Sequence, residues 1–220
     1  MKKIIAIAFA ALVLAGTNAF AQLSAGLGYI NATEKSVYQN GDNDPVITKA
    51  PFNGLYAGVS YNLAVPGVNG LGLTPGIYAS YLFSNRHVDG VSAFGYTILP
   101  GGTYKDSDIS INVPIHVNYS VDIASDSKVF VYGGPMLQYA LSNTTQYATD
   151  GSSDYNTTNN LQGNSATRAP FNLYVGAGLG AEFNKIKIIL GYDMSLLNMD
   201  TRDNYTLGRS QIRLGVGYAL

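Results

Sequence analysis

The chain of 220 residues contains no cysteine and no tryptophan, and only 12% of its residues are charged. Without cysteine it can form no disulfide, so its stability must come from a closed hydrogen-bond network or a core. So little charge suits a soluble domain poorly. Acidic residues (14) slightly outnumber basic ones (13), so a nucleic-acid partner is not expected, because no basic stripe is present to neutralise phosphates.

Long apolar runs are also absent beyond the N-terminus. The one sustained run, Ile4 to Leu14, follows two lysines and precedes a small-residue cleavage site, which is the order of a secretory signal peptide. We expect residues 1–21 to be removed, leaving one domain over residues 22–220. Within that domain no stretch reaches 18 uninterrupted apolar residues, so no transmembrane helix is predicted.

Glycine (25) and tyrosine (17) are abundant, and apolar residues alternate with small or polar ones along much of the chain. From Ile212 to Leu220, for example, large apolar side chains occupy every second position, and Arg213 and two glycines lie between them. Side chains of a strand point alternately to its two faces, so this is a strand with one wide apolar face. Eight such strands are predicted: Leu23–Ile30, Gly54–Leu63, Leu71–Phe83, Ile109–Tyr119, Val129–Tyr139, Phe171–Phe183, Ile186–Leu196 and Ser210–Leu220.

The connections between these strands alternate between long and short. The predicted long loops are residues 31–53, 84–108, 140–170 and 197–209, and the predicted short turns are residues 64–70, 120–128 and 184–185. Long external loops and tight periplasmic turns are typical of outer-membrane barrels. The fold class predicted is therefore all-β: an eight-stranded antiparallel transmembrane up-and-down barrel that follows a cleaved signal peptide.

Aromatic residues near both ends of the predicted strands support the same fold, because their amphipathic rings favour the membrane–water interface. The predicted girdle at the loop ends consists of Tyr29, Tyr81, Tyr139 and Phe171. The predicted girdle at the turn ends consists of Tyr61, Tyr119, Phe183 and Tyr218.

Four segments of these strands carry a family resemblance: Ile111–Ile115, Val131–Pro135, Phe171–Gly180 and Gly215–Tyr218. Together with the leader they resemble the small eight-stranded outer-membrane barrels of Gram-negative bacteria, which are OmpX-like and OmpA-like. The outer membrane protein β-barrel domain common in Bacteroidota is the most similar. The resemblance implies an outer-membrane location, but no activity and no cofactor. The chain ends in Leu220 where relatives usually end in an aromatic residue, so recognition by the barrel-insertion machinery is expected to be weaker.

Five ionisable residues are predicted to face the lumen: Glu182, Lys187, Asp193, Arg213 and His116. Buried charges are costly unless they are paired. We expect Glu182 and Arg213 to form the centre of a salt-bridge network, with the other three residues around it. Eight strands enclose an interior that side chains can fill, so a plugged lumen is expected.

The favoured function is a monomeric structural platform that contacts outer-membrane lipid and lipopolysaccharide. Its surface ligand would bind the loops 31–53, 84–108 and 140–170, with Tyr147 and Tyr155 as contacts. The first alternative is a narrow porin-like channel for ions or small solutes, and another is a soluble lipocalin-like barrel with an apolar lumen.

Enzymatic and metal-binding functions are not expected. A lipid A-modifying enzyme would use His87 near the outer rim, but no serine or acidic partner can be placed beside it from the sequence. No catalytic residue is predicted. No metal site is predicted either, since residues 42–44 (Asp-Asn-Asp) lack the glycine and the closing glutamate of a calcium loop.

Overall fold

The computed structural model describes residues 21–39, 41, 44–93, 96–99, 101–162 and 166–220. Apart from Ala21, the predicted signal peptide lies outside these residues. Among the described residues, no helix is both long and apolar enough to cross a membrane.

The described chain forms eleven β-strands. In order they are β1 (Ala21–Tyr38), β2 (Val46–Ala64), β3 (Leu71–Val88), β4 (Val91–Ala93), β5 (Tyr96–Leu99), β6 (Gly102–Ala124), β7 (Ser127–Thr149), β8 (Asn156–Asn159), β9 (Phe171–Phe183), β10 (Ile186–Ser195) and β11 (Tyr205–Ala219). Eight of them pair antiparallel in the order β6-β3-β2-β1-β11-β10-β9-β7, and a further β6–β7 pairing closes the ring. The fold is an eight-stranded antiparallel barrel, as predicted.

The stagger of the strands follows from their pairing. A row of paired residues that starts at Asn31 passes round all eight strands and returns to β1 at Ala21, ten positions lower. The row is Asn31, Ile212, Tyr192, Ala177, Gly133, Val117, Leu73, Leu63 and Ala21. Strands in such a barrel tilt by roughly 35–45° from its axis, and the interior is narrow enough for side chains to fill.

The predicted strands are found at their predicted places, but most of them are longer than predicted. The β6 and β7 strands have 23 residues each, and their pairing continues from Ala124 and Ser127 up to Gly102 and Thr149. The expectation of long loops is therefore wrong over much of residues 31–53 and 84–108 and over part of residues 140–170. Polar residues interrupt the apolar alternation in these extensions, most fully over residues 102–108 of β6, so the pattern that reveals a membrane-spanning strand is missing there.

The short connections are tight turns, as predicted. The β9–β10 hairpin turns through two residues, Asn184 and Lys185, which have φ angles of 45° and 75°. Positive φ at both positions is the requirement of a type I′ turn, whose twist matches that of the flanking strands. The β6–β7 turn is equally short and lies at the same end of the barrel.

The two faces of the barrel wall differ sharply in chemistry. On β11, Leu214 is 52% exposed while its neighbour Arg213 is 8% exposed, so the apolar side chain is outside and the guanidinium is inside. Leu27, Leu190 and Val216 show the same outward exposure on β1, β10 and β11. An apolar exterior around a polar lumen is the pattern of a transmembrane barrel. The soluble lipocalin-like alternative, which requires the reverse, is wrong.

All eight residues of the predicted girdles lie on the outward face. Seven of them are exposed, and Tyr61, which is paired with the outward Leu23, is half-buried. Tyr29 and Tyr81 share one lateral row because both are paired with Leu55. Contact of these rings with the membrane interface stays a prediction.

Candidate functional site: the lumen and its two ends

The lumen contains three layers of charged side chains, stacked along the barrel axis. We call the end that carries the long β1–β2, β3–β6 and β7–β9 connections the loop side, and the end that carries the short turns the turn side. Each layer is held by strands whose inward positions alternate with exposed apolar side chains. We call these exposed apolar side chains, which include Leu27, Leu190 and Val216, the apolar belt.

The loop-side layer is built around Arg209, whose side chain is fully buried. Its Nε and Nη2 donate hydrogen bonds to Oε1 of Glu34, at 3.0 and 2.5 Å, and Nη2 also donates to Oδ2 of Asp108 at 3.0 Å. Phe52 lies under the guanidinium, with its ring centroid 5.5 Å from Cζ. We call Arg209, Glu34, Asp108 and Arg168 the loop-side plug.

Arg168 completes the loop-side plug from the connection that joins β8 to β9. It lies between β8 and β9, in an isolated bridge with Asp200, and donates from Nη1 and Nη2 to the two oxygens of Glu34. Two arginines thus face two carboxylates, so the plug is electrically balanced. This balance is what makes burial of four charges tolerable.

Glu34 is the titratable centre of the loop-side plug. It lies five residues beyond Tyr29 on β1 and hence outside the apolar belt. Burial raises the pKa of this carboxyl, but the charges and hydrogen bonds of Arg209 and Arg168 outweigh burial and lower the pKa to about 2. Glu34 is therefore ionised at every physiological pH.

The middle layer centres on Arg213 and Asp193. Arg213 donates from Nε and Nη2 to the two carboxylate oxygens of Asp193, at 2.6 and 2.9 Å, in a bidentate pair. Gln211 donates a further hydrogen bond to Asp193 at 3.2 Å. Between this layer and the loop-side plug, a ladder of side-chain hydrogen bonds lines the opposite wall: Ser80, Ser110, Asn112, Gln138 and Tyr174.

The turn-side layer is a trio of Lys128, Glu182 and Lys187. Oε2 of Glu182 lies 3.3 Å from Nζ of Lys128 and 3.5 Å from Nζ of Lys187. Glu182 is the direct cross-strand partner of both lysines, on β7 and on β10. Nζ of Lys187 also donates to Oγ of Ser24 at 2.8 Å.

The expected pairing of Glu182 with Arg213 is wrong. Glu182 lies opposite Lys187, which is paired with Gly217 on β11, and Arg213 lies four positions further along that strand. At about 3.3 Å per residue, the two groups lie in separate layers. Alternation in the sequence decides which face a residue occupies but not its height in the barrel. Four of the five predicted lumen residues therefore divide between two layers, and the fifth belongs to neither.

His116 is the fifth predicted lumen residue, and it lies in the wall just below the middle layer. Its ring packs against Tyr132, with the centroids 4.9 Å apart and the planes at 34°. Its Nε2 is buried and has no hydrogen-bond partner among the described residues.

The sequence reasoning missed the whole loop-side plug, together with Lys128. Glu34 and Arg209 fell in or beside predicted loops, and Arg168 reaches Glu34 only through tertiary folding. One pattern could have shown part of it: Ile30, Ala32 and Glu34 continue the inward positions of β1 without a break.

Near the outer rim, His87 lies close to two acidic residues. Its Nε2 is 3.4 Å from Asp89 and its Nδ1 is 3.6 Å from Asp150. Ser84, the serine nearest to His87 in the sequence, is buried on the opposite face of β3. No group of three or more potential ligands positioned to hold a metal ion occurs among the described residues, and Asp42 and Asn43 lie outside them.

Comparison with known proteins finds similarity only among solved structures. No protein-family model matches the chain, and no curated protein matches it. A major outer membrane protein from Thermus thermophilus is 14% identical, with a TM-score of 0.43, over 88% of this chain and 99% of that one.

Ail of Yersinia pestis, in complex with the heparin analogue sucrose octasulfate, is 15% identical, with a TM-score of 0.40, over 91% of this chain and 99% of that one. The outer membrane enzyme PagL is 12% identical, with a TM-score of 0.36, over 85% and 98%. These likenesses are too weak to bear on function, and the strand pairing defines the fold by itself.

Proposed function

We propose that the chain is an outer-membrane barrel with a closed lumen, which serves as a rigid platform for a surface interaction. The apolar exterior between two rows of aromatic residues supports the membrane location. The observation that carries the closed lumen is Arg209, which is completely buried at the loop side in contact with Glu34 and Asp108.

A passage for ions would have to open the loop-side plug and the middle layer in turn. The loop-side plug and the middle layer both hold arginine in multiple charge-assisted hydrogen bonds, which are the strong class. The ladder through Ser110 and Gln138 occupies the wall between them. Removal of one partner would leave a buried charge uncompensated, at a cost of about 3–5 kcal/mol.

Planar-bilayer recording separates the platform from the narrow channel. The purified protein should give no stable conductance steps in molar salt. The quadruple variant Arg209→Ala/Glu34→Ala/Arg213→Ala/Asp193→Ala removes one charge of each sign from the plug and from the middle layer, and it should conduct more than the wild type. Stable, uniform steps from the wild type would establish the channel and end the closed-lumen proposal.

The surface interaction is proposed for the loop-side rim. There β8 pairs with residues 144–147 of β7 and adds a short strand to the sheet outside the ring of eight strands. Tyr155 is 38% exposed, and Nζ of Lys105 lies 4.1 Å from its ring centroid, so a ring and a cation are presented together. Tyr147 packs against Tyr104 instead, with the centroids 4.6 Å apart.

Display on cells tests this surface. Cells that carry the protein are applied to glycan and protein arrays, and any binding should fall with Tyr155→Ala/Lys105→Ala. The control is Lys185→Gly in the β9–β10 turn at the opposite end of the barrel, because glycine suits the positive φ of this position, and the variant should bind like the wild type. Equal binding by the wild type, the double variant and the control would show that this part of the rim does not make the contact.

We propose further that the barrel is not a lipid-modifying enzyme. His87 does have acidic neighbours, which the sequence could not place, but Ser84 lies on the other face of the wall and cannot serve as its nucleophile. Mass spectrometry of lipid A from cells with and without the protein tests this proposal. A shift in acyl pattern that His87→Ala abolishes would contradict it.

A further inference from the structure

Below the middle layer the lumen is not filled. A cavity of about 110 Å³ extends from Arg213 toward the turn side, and Lys128, Glu182 and Lys187 stand at its outer end. His116 and Tyr132 belong to its wall. Because the middle layer and the loop-side plug block the other end, the cavity is a blind pocket that opens only toward the turns.

The pocket is open because aromatic rings lie flat against the barrel wall instead of across the lumen. Tyr132 covers Gly191, where an added Cβ would come 2.2 Å from the tyrosine hydroxyl oxygen. Tyr56 covers Gly215 in the same way, with a distance of 2.1 Å. At both positions only glycine leaves room for the ring, and any larger residue would press that ring into the pocket.

The pocket walls therefore present flat aromatic surface. Tyr56, Tyr78, Phe130 and Tyr132 contribute rings, and His116 packs against the last of them. Such surfaces favour a planar partner, which can stack on or meet the edges of the rings. An engineered apolar cavity of roughly 150 Å³ holds one benzene molecule, so a pocket that is smaller but open at one end suits a single ring.

The charges that line the pocket are mostly positive. The lining contains three cationic side chains, Lys128, Lys187 and Arg213, and one carboxylate, Glu182. Asp193, which pairs with Arg213, is not part of the lining. Both lysines contact the same oxygen of Glu182, so their ammonium groups lie close together at the mouth. The unpartnered Nε2 of His116 adds a hydrogen-bonding atom in the wall.

We propose that this turn-side pocket binds a small aromatic carboxylate. The ring lies inside, against Tyr132 and His116, and the carboxylate bridges Lys128 and Lys187 at the mouth. This site goes beyond the platform function, because it neither needs a surface partner nor opens the lumen. Asn62, Thr74 and Asn118 add polar groups to a wall that is otherwise largely aromatic. A few polar groups that converge on such a wall are the usual form of a small-ligand site.

Fluorine NMR of 4-fluorobenzoate tests the proposal. The probe is titrated with the full chain refolded in nonionic detergent, and its resonance should shift in a saturable way. 4-Fluorobenzamide, which has the ring without the charge, and cyclohexanecarboxylate, which has the charge without the flat ring, should each compete at least about tenfold less well than benzoate.

Two variants localise the binding. Gly191→Ala pushes Tyr132 into the pocket without altering a charged group, and it should abolish saturation. Lys128→Gln removes one cation from the mouth and should weaken binding about tenfold. Gly208→Ala is the matched control, since an added Cβ there meets only Oγ of Ser195 at 3.3 Å, far from the pocket.

Folding of each variant is checked by the heat-dependent gel shift, and Gly215→Ala replaces Gly191→Ala if the latter does not fold. Absence of saturable binding by the wild type would overturn the proposal. Equal binding of benzoate and the amide, or unchanged binding by the glycine variant or by Lys128→Gln, would overturn it as well.

Discussion

At the scale of single residues, the buried ion pairs determine how the lumen is held. Arg213 and Asp193 make two hydrogen bonds to each other, and Asp193 is 1% exposed. Such a pair adds little net stability over an apolar core, but it is costly to break from one side. Removal of one partner at a time therefore tests each pair.

Arg213→Ala should leave Asp193 as an unpaired buried carboxylate. We expect the free energy of unfolding to fall by about 3–5 kcal/mol. The temperature at which the folded gel band is lost should fall accordingly. Lys35→Ala is the control, because Lys35 is exposed on β1 and its loss should cost less than about 1 kcal/mol. Equal transitions for Arg213→Ala and the wild type would show that the middle layer is not buried.

Because Glu34 is buried and ionised, we expect the free energy of unfolding to fall at acid pH. Its pKa in the folded state is about 2, below the reference value of 4.5, so the unfolded state binds the proton more readily as the pH falls. The stabilisation is complete above pH 4.5 and is lost as the pH falls toward 2. Urea unfolding at a series of pH values should show this loss.

The glutamine variant separates Glu34 from the other carboxylates. Glu34→Gln should be less stable than the wild type at neutral pH, because Arg209 and Arg168 lose their negative partner. The difference in unfolding free energy between the two proteins should shrink as the pH falls below 4.5. A difference that is constant from pH 7 to pH 2.5 would contradict the depressed pKa.

At the scale of elements, strand length is where the sequence was least informative. The β9 strand has the predicted bounds, Phe171–Phe183, because its apolar alternation ends where the strand ends. The β6 strand begins seven residues before the predicted Ile109, in a stretch that is polar on both faces. Apolar alternation arises only where one face of a strand contacts lipid. It therefore cannot reveal the part of a strand that extends beyond the membrane.

The charged network shows the same limit. The alternation placed Arg213 and Glu182 on the inward face, which fixes orientation, but the stagger of ten positions around the ring decides their heights. The stagger depends on pairing between strands that are distant in sequence, such as β1 with β11. Neither Asp193 as the partner of Arg213 nor Lys128 beside Glu182 could be derived without it.

The strand extensions predict unusual rigidity beyond the membrane. Backbone amides of the β6–β7 ladder, near Tyr104 and Gln146, should exchange with solvent slowly although they lie beyond the apolar belt, because they belong to a continuous sheet. Amides of residues 152–155, which have no strand partner, should exchange fast. Hydrogen exchange followed by mass spectrometry measures both segments at once. Equally fast exchange in the two would contradict the extended hairpin.

At the scale of the whole molecule, one wall separates two environments. Large apolar side chains on β1, β10 and β11 face outward, and the three ionic layers face inward. This arrangement is stable only when the exterior meets lipid, because water would otherwise contact a continuous apolar belt. Both the closed lumen and the turn-side pocket depend on this orientation.

Spin labels at single introduced cysteines test the orientation most directly, since the natural chain has no cysteine to interfere. A label at Leu190→Cys in lipid bilayers should be accessible to oxygen, which partitions into lipid, and shielded from a water-soluble nickel complex. A label at Lys35→Cys, six positions beyond Tyr29, should show the reverse. If the label at Leu190→Cys relaxes more with nickel than with oxygen, the apolar belt does not face lipid and the barrel is not oriented as proposed.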